Sequence, residues 1–310
     1  MTKKKKQVVS ADEIRQFGPT ANLISNIVVA LFAFSCFLPF IFVVMTSITK
    51  ETALAQYGYS LWPREFSLDA YRFLFHGKMT VKLFQALGVT VIVTVVGTFM
   101  NASLNSLYAY AISRKDFPFR RFFTLFALVT MLFSPGLIAQ YLVMTSMLHL
   151  KDTIWALILP GALGPFNILI MRTFFIKSIP EAIIESARID GASELKIFLK
   201  IVLPLAVPGV ATISLFSAIG YWNDWMNALL YIQNEALVPL QFLLMKILNN
   251  LDVLTQNATM SAQIGTDLAS LPSEAARMGI VVVSTLPIVL TYPFFQKYFV
   301  GGLTIGGVKE

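Results

Sequence analysis

The chain has 310 residues, 56% of them hydrophobic and 13% charged, with a formal net charge of +7. Soluble domains carry about 25% charged residues, so this composition excludes an ordinary soluble domain and points into a membrane. The single cysteine, Cys36, lies inside an apolar run, which leaves no disulfide framework and reads as a buried packing residue.

A membrane-crossing helix needs about 20 predominantly apolar residues. Six stretches of 19 residues or more lack Asp, Glu, Lys and Arg, and they predict six helices at 22–48, 84–112, 121–146, 153–175, 203–230 and 278–299. Only helices and closed barrels satisfy their backbone in lipid, and barrel-type alternation is absent, so the predicted class is all-α and polytopic. The organisation expected is an N-terminal tail over 1–21, a six-helix domain over 22–300 and a C-terminal tail over 301–310.

The tail opens MTKKKK. The first apolar run starts about 20 residues in, is too long for a cleavable signal and lacks a small-residue cleavage site, so it is expected to stay as a helix. A long external loop follows at 49–83. The second helix carries Asn101 and Asn105, four apart on one face. The third contains "FSPGLIAQY" (133–141), whose Pro-Gly pair predicts a break in the helix, with Gln140 beside it. The fourth includes "LPGALGPFN" and therefore Asn167. Polar residues at such depth serve either a substrate path or hydrogen bonds between helices.

Between the fourth and fifth runs lies "KSIPEAIIESARIDGASELKIFLKIVLP" (177–204). Ser178 with Glu181 fits a capping box, with Pro180 in the first turn, and predicts a short helix over 180–189. Gly191 is placed to end it in a left-handed conformation. Ser193 then caps a second helix that runs to Pro204. The fifth run ends in Tyr221, Trp222, Asn223, Asp224 and Trp225, a set suited to stacking on a sugar ring and binding its hydroxyls. Interfacial aromatic anchoring and helix capping by Asp224 fit these residues equally well. A second long external loop covers 231–277. His76 and His149 are isolated and lack metal-ligand spacing. "GGLTIGG" near the C-terminus is not followed by the lysine of a phosphate loop, and no G-x4-G-K-[ST] occurs.

Lys and Arg set orientation. With MTKKKK inside, the inward segments hold 16 Lys+Arg and 8 Asp+Glu, against 8 and 9 outside: +8 and −1, summing to +7. The basic excess is thus an orientation signal and calls for no nucleic acid. Both termini and the 177–204 loop are expected in the cytoplasm.

The pattern E-S-A-x3-G-x9-I-x-L-P, on Glu185, Ser186, Ala187, Gly191, Ile201, Leu203 and Pro204, resembles the signature loop of bacterial ABC importer permeases. It departs at Ser186, where the family has alanine. "IDGAS", "YWNDW", "ALLYI" and "YPFFQKYFV" extend the likeness to the carbohydrate-uptake branch, the group of the maltose importer's smaller permease. It is most similar there to Gram-positive permeases for polysaccharides and complex oligosaccharides. The resemblance implies a cytoplasmic coupling helix in which Glu185 pairs with a basic ATPase residue, Ala187 packs in the ATPase cleft and Gly191 makes the turn, with Ser186, Asp190 and Ala192 in the same surface. It implies a second, homologous permease in a heterodimer, an ABC ATPase dimer that binds ATP and Mg while this chain binds no cofactor, and an extracellular lipid-anchored solute-binding protein met by the two external loops. It also implies a C-terminal tail at the ATPase interface, a non-catalytic role, uptake of an oligosaccharide, uronate-containing or otherwise complex, and a Gram-positive plasma membrane. Composition alone would also suit an ion-coupled secondary transporter of small solutes. That reading usually needs intramembrane carboxylates, and only Asp224 approaches such a position. An intramembrane enzyme would need a His/Asp/Glu constellation inside the apolar runs, and none is evident.

Overall fold

A computed structural model of the chain describes residues 19–256 and 273–307. They form helices α1 (Pro19–Ser47), α2 (Glu51–Tyr57), α3 (Asp69–Leu74), α4 (Lys78–Ser113), α5 (Arg120–Leu132), α6 (Gly136–Leu142), α7 (Ile154–Ala162), α8 (Pro165–Ser178), α9 (Glu181–Ile189), α10 (Glu194–Ile197), α11 (Leu203–Leu205), α12 (Val207–Trp222), α13 (Met226–Tyr231), α14 (Leu240–Gln256) and α15 (Ser273–Gly307). π-helical turns extend α6 to Met147 and join α10 to α11. The chain divides into two units, residues 1–71 with 269–282, and residues 72–268 with 283–310.

In the first unit α1 exposes its apolar side chains along its length, Phe32 at 70% among them, as a helix in contact with lipid or another chain does. Cys36 is exposed there, contrary to the expected burial. The Glu51 carboxylate accepts hydrogen bonds from the Glu274 and Ala275 backbone N–H groups, both at 3.1 Å, which meets two of the orphan donors at the start of α15. Leu54, Ala70 and Ala275 close a small apolar cluster beside it.

In the second unit α4 is the central mast, packed against α12, α8 and α7. Its lower part joins Met171, Phe175, Ile184, Ile197 and Ile213 in a core where each of these five is at most 1% exposed. Around it the predicted spans are bent. Among the described residues, three stretches are long and apolar enough to cross a membrane by themselves: Thr20–Ser47, Met79–Ser113 and Glu274–Thr291. The others pass only as pairs, α5–α6 bent by 116°, α7–α8 by 47° and α10/α11–α12 by 81°. The helix expected at 121–146 is broken, as its Pro-Gly pair predicts, and those expected at 153–175 and 203–230 are corrected to bent segments.

Each bend has a local cause. Gly136, at φ +78 after Pro135, turns α5 into α6 at the place the Pro-Gly pair predicts. Leu163 and Gly164 are extended before Pro165, which starts α8. Pro204 and Pro208 flank Ala206 at the third bend. The two expected external loops also hold helices: α2 and α3 in one, α14 in the other. At the C-terminus α15 continues to Gly307, so the expected tail at 301–310 is helical through Gly307. The basic tail at 1–18 lies outside the described residues.

Candidate functional site

The 177–204 loop folds as two short helices around a glycine corner. Its start differs from the capping-box expectation: α8 runs through Ser178, Pro180 is the N-cap of α9 with extended backbone, and no side chain caps the helix. Its end matches. Gly191 has φ +79, its N–H donates to Arg188 O at 2.9 Å, and the Ala192 N–H donates to Ala187 O at 3.0 Å. These are the two bonds of a Schellman turn, which needs a left-handed residue at Gly191. Ser193 is the N-cap position of α10, without a side-chain bond.

The faces of α9 are distinct. Ile184 (1% exposed) and Ala187 (8%) point into the chain's own core, and Ala192 packs against it. Ala187, expected to pack in an ATPase cleft, instead lies in the chain's own core. Ala182, Glu185, Ser186 and Ile189 lie at i, i+3, i+4 and i+7 on the open face, and Asp190 and Gly191 are exposed at its end. Ile189 is 86% exposed, an isoleucine with nothing of its own chain over it. Sequence reasoning passed over it, although its spacing from Glu185 and Ser186 carried the signal.

Ion pairs fix α9 in orientation. Arg188 bridges Asp116 (2.6 Å) and Glu194 (2.7 Å), Tyr110 Oη donates to Glu194 (2.8 Å), and Lys115 meets Glu181 (2.6 Å). The Lys115 ammonium holds the Glu181 carboxyl below its usual range, and hydrogen bonding to Glu194 raises the Arg188 guanidinium above its own. The Glu185 face takes no part in this frame. α9 is therefore a rigid lever, keyed to α4 through the 114–119 connection and to α10, with a free outer face.

The residues singled out within the apolar segments form a brace. Asn101 Nδ2 donates to Gly161 O (2.7 Å), and Asn105 Nδ2 to Asn101 O (2.6 Å) and Ala162 O (3.5 Å). The Gly164 N–H donates to Asn105 Oδ1 (3.0 Å), and Asn167 Nδ2 to Asn101 Oδ1 (3.2 Å). Gly161 and Ala162 end α7, where carbonyls lose their helical partners, so the amides supply what the break removes. Of the two roles open to these asparagines, the bonds between helices are the one the geometry displays.

Tyr221 also serves packing. Its hydroxyl donates to Ile158 O at 2.7 Å, and its ring sits where a Cβ on Gly97 or Gly161 would come within 2.6 or 2.9 Å. Trp222 Nε1 donates to Ser284 O at 3.0 Å. Asp224 accepts from the Asn227 N–H and side-chain amide (3.0 and 2.6 Å) at the start of α13. Asn223 is exposed and Gln140 half-buried, beside Tyr141, whose ring stacks on that of Tyr231.

Residues 106–305 match the family described as "binding-protein-dependent transport system inner membrane component". The chain belongs to this family of membrane permeases. The permease is 42% identical to the polygalacturonan/rhamnogalacturonan transport system permease protein YtcP of Bacillus subtilis, over 90% of this chain and 94% of that one. It is 40% identical to protein LplC of the same organism, over 88% and 89%. In structure it is similar to a chain of a bacterial ABC transporter involved in the import of the acidic polysaccharide alginate, with a TM-score of 0.76 and 31% identity, over 91% of this chain and 99% of the other. The family match over 106–305 contains the α9 lever and Asn167, while Asn101 and Asn105 lie just before it.

Proposed function

We propose that this permease is the membrane subunit of an ABC importer for uronate-containing oligosaccharides. The observation that carries the coupling role is the free outer face of α9, with Glu185 and Ile189 on a lever otherwise locked to the membrane helices. The outer face docks in a cleft of a separate ATPase, Glu185 pairing with a basic residue and Ile189 entering the cleft. ATP and Mg belong to that ATPase dimer, and this chain binds no cofactor and performs no catalysis. Closure of the ATPases moves two such levers together, one on each of two homologous permeases, and the bent helices rock between inward-facing and outward-facing states. A solute-binding protein anchored outside the cell delivers the sugar and meets the loops expected outside, at 49–83 and 231–277.

The substrate class rests on the names of similar proteins, which include transporters of polygalacturonan/rhamnogalacturonan and alginate. The cytoplasmic position of α9 and of both termini, in a Gram-positive plasma membrane, rests on the lysine and arginine distribution and on Bacillus relatives. The test is ATP hydrolysis by the reconstituted importer, with binding protein loaded from an oligosaccharide panel. Stimulation by uronate-containing oligomers supports the reading, and stimulation by neutral sugars alone contradicts the substrate class.

A further inference from the structure

Where the chain passes from α4 to α5, a cleft of about 810 Å³ gathers Lys115, Arg120, Arg121 and Arg172. Retention of a loop on one side of a membrane needs only cations somewhere along it. Here Arg172 comes from α8 and joins the other three, and its Nε donates to Ile112 O at 3.3 Å. No carboxylate lines the cleft. The nearby acids are engaged, Glu181 by Lys115 and Asp116 by Arg188, while Arg120 and Arg121 have no ion-pair partner among the described residues. The wall away from the connection is apolar: Leu125 and Leu128, exposed at 60% and 41%, carry the cleft up α5 along a face that also bears exposed Phe122 and Leu132.

We infer that this cleft binds the phosphate headgroup of an anionic phospholipid, held by Arg120, Arg121 and Arg172, with an acyl chain lying along Leu125 and Leu128. Basic pockets between helices at a membrane surface suit such headgroups. Arginine forks take phosphate oxygens in pairs. The apolar wall favours lipid over an acidic protein surface, which would have no use for Leu125 and Leu128. Lys115 lines the cleft and also holds Glu181, so the headgroup sits one side chain away from the α9 lever. The inference needs only that 114–121 lies at a membrane surface, so a failure of the sugar-uptake reading leaves it standing.

The test is native mass spectrometry of the delipidated, full-length permease in its assembled complex. It is titrated with phosphatidylglycerol, with phosphatidylcholine of the same chains and with inorganic phosphate. Phosphatidylglycerol is expected to bind in preference to phosphatidylcholine and to survive inorganic phosphate. Binding should weaken about 30-fold in the Arg120→Gln/Arg121→Gln variant, since each cation near the surface adds about 1 kcal/mol, and by less in Arg120→Lys/Arg121→Lys, which keeps the charges and loses the forks. Equal binding of the two lipids, displacement by inorganic phosphate, or unchanged binding in the Gln variant would overturn it. So would loss of the ATPase subunit with phosphatidylglycerol binding intact, which would assign the cleft to an acidic protein surface.

Discussion

Ile184 and Ile189 belong to the same short helix, yet one is 1% and the other 86% exposed. Polar substitution therefore has opposite consequences at the two positions. Ile184→Asp would bury an unpaired charge in the core beside Met171 and Phe175 and should prevent folding. Ile189→Asp should leave the permease folded, in the membrane and paired with its partner. If Ile189 fills an ATPase cleft, that substitution forfeits the burial of an isoleucine, about 1.5–3 kcal/mol. Association of the ATPase, followed by co-purification at graded concentration, should weaken about 10-fold to 100-fold. Full association would remove Ile189 from the interface. Glu185→Ala removes one partner of a desolvated pair, at about 2–5 kcal/mol, so it should weaken ATPase association at least as much and lower coupling in the complexes that still assemble. The left-handed turn at Gly191 was legible because it follows from local sequence, and Glu185 lies on the exposed face of α9. The motif misled on Ala187, because the way a residue faces depends on what α4, α8 and α10 place beneath the helix, and local sequence does not contain that.

Broken helices are the recurring element, and the break between α7 and α8 is met by the Asn101 and Asn105 side chains of α4. The Pro-Gly pair at 135–136 was legible as a break, while the Gly-Pro pair at 164–165 was not read as one. The angles, 116°, 47° and 81°, were not legible, since a proline or glycine permits a break without fixing its angle. The asparagines were equally open to a transport path or a brace until burial placed Asn101 at 3% and Asn105 at 0% exposure. Asn105→Leu should strand the carbonyl ending α7 and the Gly164 N–H, at about 1–3 kcal/mol. Thermal stability in detergent should drop while the order of preferred sugars stays the same. A stable variant with altered sugar preference would return Asn105 to the substrate path. Gly97→Ala drives a methyl into the Tyr221 ring and should cost about 1–3 kcal/mol by overpacking. In a Tyr221→Leu background the added methyl should be nearly neutral, and an undiminished cost there would refute the wedge. The helices inside the expected external loops escaped notice for a simpler reason. α14 buries Phe242, Leu244 and Ile247, but Lys246 and Asp252 interrupt it, and a search for charge-free runs passes over amphipathic helices.

Within the second unit, α4 packs against α12, α8 and α7, and the α9 lever is tied to the 114–119 connection and to α10. A force applied at α9 reaches α4 by two kinds of link, the core through Ile184 and the ion pairs through Arg188. Polytopic class and loop motif could be read from composition and spacing. The inward half of the lever and the basic cleft needed the fold, because Arg188 and Arg172 meet partners far away in sequence. The most direct measurement of the central claim is ATP hydrolysis by the reconstituted importer with sugar-loaded binding protein, wild type against Glu185→Ala, in complexes shown to contain every subunit. The account predicts sugar-stimulated hydrolysis in the wild type and its loss in the variant. Equal stimulation in both would contradict coupling through the outer face of α9.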